Sequence, residues 1–182
     1  MHWIIRFLSI AFGGDKTGNF ASRDPIPHPE PKEPAMSYLR KSKRPIHTII
    51  VHSSATKANR KVSKADLHQW HVVEQGWTDV GYHGFIHRDG SFESLRPVDR
   101  NGAHASGHNT NTLGIMMVGG LSESHGPEAN FTKAQFSTLR KVLEEQLVHY
   151  PSAKIIGHRD TKATACPSFD VKYWWETGEV LP

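Results

Sequence analysis

The chain has 182 residues, 37% of them hydrophobic, which suffices for one compact domain with a proper core and an additional segment. The formal net charge of +4 and the pI of about 9.2 favour an anionic partner: nucleic acid, an acidic membrane face or an anionic cell-wall polymer. The single cysteine excludes an intramolecular disulfide, and no apolar run reaches the ~20 residues of a transmembrane helix. Because the densest basic cluster, residues 40–44, is too short for a nucleic-acid-binding arm, we expect no nucleic-acid partner.

The first 45 residues are predicted to form an extension and a linker. Residues 1–12 are apolar, but Arg6 interrupts them and leaves an apolar stretch below the ~7–15 residues of a signal peptide. An unstructured extension is favoured, while an export signal or a membrane-surface anchor stays open. Residues 13–45 carry five prolines between positions 25 and 34, which predicts an extended linker, and Met36 is a candidate start of a shorter product.

The pattern of residues 46–182 predicts one folded domain. Residues 46–51 form a short β-branched apolar run, which is typical of a buried strand. Ser63, with Asp66 three residues later, is expected to cap a helix that ends at Gly76.

The middle of the domain is predicted to contain a hairpin and a second buried strand. Residues 82–87 and 91–95 flank the dipeptide Asp89-Gly90, which favours a tight two-residue turn. Residues 113–118 are a second apolar run, ended by two glycines.

The last third of the chain is predicted to form a long helix, a strand and a final helix. Thr132 with Gln135 forms a capping box that opens a long amphipathic helix. Residues 154–157 are predicted to be a strand, and Asp170 is expected to cap the final helix. Since strands and helices alternate, the fold class is α/β, with a central mixed sheet flanked by helices in a single domain.

Three residues have the chemistry of a metal site: His52, His158 and Cys166. Both histidines follow predicted strands, and strand ends are favoured places for sites in α/β domains. Two imidazoles and one thiolate are a sufficient donor set for a zinc ion whose fourth position is open, as in catalytic sites. Each residue also has an ordinary interpretation, a loop histidine or a small buried thiol. A Cys–His nucleophile pair is the rival chemistry, which the spacing leaves open.

A set of short motifs gives the chain a family resemblance. From residue 46 onward it resembles the zinc-dependent N-acetylmuramoyl-L-alanine amidases (amidase type 2), which include T7-like phage endolysins and peptidoglycan recognition proteins. Single pieces such as Arg-Asp-Gly are common, but the whole set occurs in the family's order over about three quarters of the chain. The matching stretches are residues 50–57 (IVHSSATK), 75–83 (QGWTDVGYH), 88–90 (RDG), 118–120 (VGG), 129–132 (ANFT) and 165–170 (ACPSFD).

The resemblance implies a role for individual residues. It implies that one Zn²⁺ ion is bound by His52, His158 and Cys166, and that Tyr82 belongs to the catalytic centre. His104 and Asn109 match a segment that lines the substrate groove; the alternative for both is ordinary hydrogen bonding within a loop.

The chain departs from the phage members of the family at one catalytic position. Thr164 stands two residues before the cysteine ligand, where those enzymes carry a lysine, whereas active peptidoglycan recognition proteins carry threonine. A threonine hydroxyl can donate a hydrogen bond to an oxyanion, but it brings no positive charge. Lys162 is a candidate replacement for the missing cation, and a solvated loop lysine is the favoured alternative for it. The substitution bears on the rate more than on the reaction type.

The resemblance implies hydrolysis of the amide bond between N-acetylmuramic acid and L-alanine in peptidoglycan. We expect a monomeric phage or prophage endolysin that accumulates in the host cytoplasm and acts on the cell wall, with a bacterial wall-remodelling amidase as the alternative origin. Two other functions stay open. One is a peptidoglycan-binding protein with little or no catalysis, against which the presence of Cys166 argues. The other is regulation of a phage RNA polymerase, known for one phage member, but the N-terminal region that it depends on differs here.

Overall fold

The computed structural model describes residues 37–182, which contain seven strands. The predictions made for residues 1–36, namely the export signal or anchor, most of the linker and the start at Met36, lie outside the described part. The strands are β1 (Thr48–Ser53), β2 (Thr56–Lys57), β3 (Gly84–Ile86), β4 (Phe92–Ser94), β5 (Thr112–Met117), β6 (Gly120–Leu121) and β7 (Lys154–Gly157).

Five of these strands form a mixed sheet in the order β4-β3-β5-β1-β7. β1 is the fourth strand in this order and runs parallel to both of its neighbours, β5 and β7. β3 is also parallel to β5, and only β4 runs antiparallel, as the second strand of a hairpin. The short strands β2 and β6 form a separate parallel pair. The predicted α/β class with a central mixed sheet is confirmed.

The helices begin where the sequence predicted their caps. α1 (Lys64–His68) starts at the Ser63–Asp66 capping box and continues as a π-helical segment, Gln69–Glu74. α2 (Lys133–His149) starts at the capping box of Thr132.

The final helix, α3 (Val171–Thr177), is capped by Asp170 and is followed by Gly178 in the left-handed conformation, which is common at helix ends. A short 3₁₀ turn, His158–Asp160, follows β7. Within residues 37–182, no helix is long and apolar enough to cross a bilayer.

Two local predictions differ from the structure. The Asp89-Gly90 turn is wider than a two-residue hairpin, because the last ladder bond joins the His87 N–H to the Ser91 carbonyl. The segment 37–45, which the sequence assigned to the linker, packs on the domain: Leu39 is buried, and the Glu145 carboxylate of α2 accepts its backbone N–H at 3.0 Å. The packed chain therefore begins before residue 46.

Helices cover both faces of the sheet, as the alternation of side chains along β5 shows. Ile115 and Met117 belong to a buried cluster with α2 and α3, in which Leu139 and Trp174 take part. Met116, between them in sequence, belongs to a second buried cluster that contains Leu67 of α1 and Phe85 of β3. The central strands are thus buried on both sides, and only their ends are available for chemistry.

Gln135 connects α2 to the ends of two strands, and we expect its loss to destabilise the fold. Its fully buried amide donates to the carbonyls of Ile86 (3.3 Å) and Val118 (2.9 Å), while its oxygen accepts the Thr132 N–H (3.0 Å). Gln135→Met keeps the length of the side chain but leaves these groups unpaired, which should lower the free energy of unfolding by about 2–4 kcal/mol. Urea denaturation measures it.

The matched control for this variant is Glu144→Met, which places the same side chain on the exposed face of α2. It should change stability by no more than about 0.5 kcal/mol. Equal midpoints for the two variants would show that the polar contacts of Gln135 do not stabilise the domain.

Candidate metal centre and active site

The parallel pairing of β1 and β7 places two histidines side by side. Val51 of β1 and Gly157 of β7 form the last pair between these two strands. His52 and His158 are the residues that follow them in the sequence. Their rings lie 4.4 Å apart, centroid to centroid. Both side chains therefore lie at the carboxyl ends of the parallel strands, where the sites of α/β proteins usually form.

Cys166 reaches this edge from the loop between β7 and α3. Its carbonyl accepts the Arg159 N–H at 2.7 Å, which fixes the loop to the turn after β7. Its Sγ accepts the backbone N–H of Ser53 at 3.3 Å and lies 4.0 Å from His52 Nδ1. The structure thus brings together all three predicted ligands.

The donor atoms of these three residues lie close to the arrangement that a zinc ion requires. They all lie within 4.8 Å of one another, and tetrahedral zinc with bonds of about 2.0–2.3 Å needs its ligand atoms about 3.3–3.8 Å apart. His158 Nε2 is buried, and it has no hydrogen-bond partner within residues 37–182. A buried ring nitrogen without a partner is costly in a protein interior, and a metal ion would satisfy it.

The electrostatics of the site keep its imidazoles neutral, which is the form that binds metal. Burial lowers the pKa of His52 well below its usual value, and the neighbouring His104, His158 and Lys162 lower it further. Burial also lowers the pKa of His158, again with a contribution from Lys162.

The cysteine experiences opposing effects. Burial raises the pKa of the Cys166 thiol, whereas hydrogen bonds from Ser53 and the charges of Lys162 and Arg159 lower it. The N–H and hydroxyl of Ser53 and these two cations are therefore the groups that favour a thiolate at this position. Sequence reasoning did not identify Ser53, although its place next to His52 at the end of β1 was a usable signal.

Tyr82 lies beside the three candidate ligands. Its ring is 5.2 Å from that of His52 and 5.5 Å from that of His71. Burial raises the pKa of Tyr82, and the nearby Cys166 raises it further. The phenol therefore stays protonated at neutral pH and can donate a hydrogen bond. Its neighbour in sequence, His83, is fully buried and pairs with backbone groups, which indicates a structural role.

A cavity of about 280 Å³ contains the remaining predicted residues of the groove. Its lining includes His104, Asn109 and Lys162, together with the half-exposed ring of Trp77. The Asn109 carboxamide oxygen accepts the N–H groups of His104 (2.8 Å) and Ala105 (2.9 Å). It therefore shapes the loop, which was the alternative interpretation of this residue. Trp77 was not among the predicted site residues, although its place in the family motif of residues 75–83 could have indicated that it lies at the site.

Thr164 and Lys162 occupy different positions in the cysteine loop. The Thr164 hydroxyl oxygen accepts the Cys166 N–H at 3.3 Å, so its own proton remains available for another acceptor. Lys162 is exposed at the cavity, and its charge is felt by both histidine ligands and by the cysteine.

Three larger cavities lie elsewhere and contain none of the predicted site residues. One, of about 420 Å³, lies between α1 and the hairpin and is lined by Val62 and Arg88 among others. A second, of about 540 Å³, lies beside β2 and is lined by Arg60 and His125 among others. A third, of about 380 Å³, lies between α2 and α3 and is lined by Phe136 and Trp174 among others. Since the three convergent donors and the raised or lowered pKa values are found around Cys166, that region is the candidate active site.

Comparisons with known proteins identify the family of the chain. The family model described as N-acetylmuramoyl-L-alanine amidase matches residues 42–169. The endolysin of Klebsiella phage KP32 is 48% identical over 133 residues, which are 73% of this chain and 87% of that protein. The chain therefore belongs to the N-acetylmuramoyl-L-alanine amidase family and is an enzyme of that class.

Two solved structures show the same fold. The endolysin amidase LysCS from Clostridium intestinale matches with a TM-score of 0.59 and 26% identity, over 72% of this chain and 78% of that one. Drosophila PGRP-LB matches with a TM-score of 0.58 and 25% identity, over 71% of this chain and 78% of that one. The resemblance to phage endolysins and to peptidoglycan recognition proteins is confirmed.

The buried histidines should make the metal-free protein sensitive to acid. Burial lowers the pKa of His83 to about 4 and that of His104 to about 3, whereas both titrate near 6.5 when unfolded. Between pH 6.5 and 4 the unfolded chain binds more protons, so the stability present above pH 6.5 is lost as the pH falls. The difference between the folded and unfolded pKa of His83 alone should reduce the free energy of unfolding by about 3 kcal/mol as the pH falls from 6.5 to 4.

Urea titrations of the metal-free protein at several pH values measure this effect. His83→Gln removes one titrating group and should flatten the dependence between pH 6.5 and 4, even if it lowers stability at pH 7. A dependence of unchanged steepness in that variant would show that His83 does not stay neutral in the folded protein.

Proposed function

We propose that this enzyme is a zinc-dependent phage endolysin that hydrolyses the amide bond between N-acetylmuramic acid and L-alanine in peptidoglycan. The convergence of donor atoms from His52, His158 and Cys166 at the carboxyl ends of the strands carries the proposal. The phage endolysin relative and the family membership support the substrate.

Zinc is the metal that this donor set suits best. Two imidazoles and a thiolate match its preference for nitrogen and sulfur ligands, and a three-residue set leaves a position for water or substrate. When bound, zinc would supply an activated water near neutral pH and polarise the scissile carbonyl.

The protein groups around this position would divide the remaining work. The protonated Tyr82 hydroxyl is suited to donate a hydrogen bond to the oxygen of the scissile carbonyl as negative charge develops there. Thr164, whose hydroxyl proton is not used by the Cys166 N–H, is a second donor for that oxygen. The cluster of candidate ligands contains no carboxylate, so a general base of that type has no place in the proposal.

Lys162 would take over the cationic role that Thr164 cannot perform. Its ammonium group lies at the cavity that also contains His104 and Trp77, and its charge reaches all three candidate ligands. There it would stabilise developing negative charge and supply a proton to the leaving L-alanine nitrogen. We also propose that this cavity, which His104 and Asn109 help to line, belongs to the substrate groove.

We expect the enzyme to act on the cell wall after release from the host cytoplasm, as a monomer. A peptidoglycan-binding function without catalysis is less compatible with the site, because Cys166 and both histidines are present and converge.

The substrate bond can be tested by mass spectrometry of digested peptidoglycan. The proposal predicts free stem peptides that begin with L-alanine, and a chelator should abolish their release. Cys166→Ser should lose bound zinc and this activity together, because it replaces the sulfur ligand. Muropeptides cut between sugars would contradict the substrate, and a zinc-replete, active Cys166→Ser would contradict the ligand set.

The roles of the protein groups can be separated by kinetics on zinc-loaded variants. Tyr82→Phe should lower kcat by about 10²–10³-fold with zinc retained, since it removes one oxyanion donor. Lys162→Met should lower kcat by about 10²-fold, and adding Thr164→Lys to it should restore most of the loss. Lys141→Met, on the exposed face of α2, is the control. Full activity of Lys162→Met would reduce this lysine to a solvated loop residue.

A further inference from the structure

The ring nitrogen of His52 that points away from Cys166 contacts a second histidine. His52 Nε2 lies 3.0 Å from His104 Nδ1, and both residues are buried, with 1% and 7% of their surfaces exposed. His104, which also helps to line the cavity, thus contacts the candidate ligand from the side away from Cys166.

The hydrogen bonds of Thr112, which lies on the other side of His104, determine which of the two histidines is the donor. The Thr112 hydroxyl lies 2.8 Å from the backbone carbonyl of His108, which can only accept, so Thr112 donates its single proton there. Towards His104 Nε2, at 3.4 Å, the same hydroxyl oxygen can then only accept. His104 therefore carries its proton on Nε2, and its Nδ1 accepts from His52.

The direction of these hydrogen bonds determines which nitrogen of His52 can bind a metal ion. With its proton on Nε2, directed to His104, His52 has a lone pair on Nδ1, the atom that lies 4.0 Å from the Cys166 sulfur. The reverse order would put a proton on Nδ1 and block coordination, since a metal ligand must be an unprotonated nitrogen.

Two glycines fix the plane of the His104 ring. A Cβ atom on Gly102 would lie 2.3 Å from His104 Cδ2, and one on Gly114 would lie 2.5 Å from Cγ and Cδ2. Any side chain at either position would displace the ring. The slot between Gly102 and Gly114 therefore holds the imidazole in the orientation that the contact with His52 requires.

We propose that His104, with Thr112 behind it, is a positioning residue that holds His52 in its Nε2–H tautomer and so presents Nδ1 to the metal. The inference rests on the proposed zinc function. Groups that orient a metal-bound histidine through its other nitrogen typically change metal affinity by about 10–100-fold when removed. A residue that served only as a substrate contact would leave metal affinity unchanged.

The matched pair His104→Leu and His104→Asn tests the proposal, because the two side chains have nearly the same shape. The Asn oxygen can take the place of Nδ1 and accept from His52, whereas Leu cannot. We expect His104→Leu to weaken zinc binding by about 10–100-fold in competition with a chromogenic chelator, and His104→Asn to recover most of this loss. His125→Leu, at an exposed histidine, is the control for nonspecific effects.

A second pair acts at the far end of the chain of contacts. Thr112→Val removes the hydroxyl acceptor while keeping the β-branched shape, and Thr112→Ser keeps the hydroxyl. We expect several-fold weaker zinc binding in the valine variant and near-normal binding in the serine variant. This pair remains informative if His104→Leu fails to fold.

Nitrogen-15 correlation spectra of the metal-free protein at neutral pH give an independent readout. They should show His52 protonated on Nε2 in the wild type and a mixture of tautomers in His104→Leu. Protonation of His52 on Nδ1 in the wild type, or equal zinc affinity in the Leu and Asn variants, would overturn the proposal. A wild type with the expected tautomer that binds no zinc would instead overturn the proposed function.

Discussion

The active site depends on the parallel register between β1 and β7. Because Val51 and Gly157 are paired, the residues that follow them, His52 and His158, lie at adjacent positions at the carboxyl ends of the two strands. A shift of one residue would turn one histidine to the opposite face of the sheet and separate the two donors. The buried apolar side chains that fix this register therefore fix the candidate metal site as well.

The same constraint explains how neighbouring groups reach the site. The loop after β7 is tied back to β1 by the contact between the Ser53 N–H and the Cys166 sulfur, so it can present the third donor without a secondary structure of its own. On the opposite side, β5 brings Thr112 and Gly114 against the ring of His104, which in turn contacts His52. Rigid strands thus determine the geometry, and loops supply the chemistry, as in many α/β enzymes.

Much of this architecture could be predicted from the sequence, because its signals are local. The caps at Ser63 and Thr132 are short-range patterns, and both helices begin there. The packing of residues 37–45 was missed because a short, basic stretch next to a proline-rich one does not reveal that Leu39 enters the core or that Glu145, about a hundred residues later, accepts its N–H. Likewise, the motifs pointed to His104 as a site residue, but only the fold shows that it contacts His52 from behind.

The most direct test of the account is X-ray absorption spectroscopy of the zinc-loaded wild-type protein, since it identifies the atoms bound to the metal. The account predicts one sulfur at about 2.3 Å and two imidazole nitrogens at about 2.0–2.1 Å, with a further light-atom ligand. A zinc shell without sulfur, or with a single imidazole, would contradict the central claim that His52, His158 and Cys166 form the metal centre.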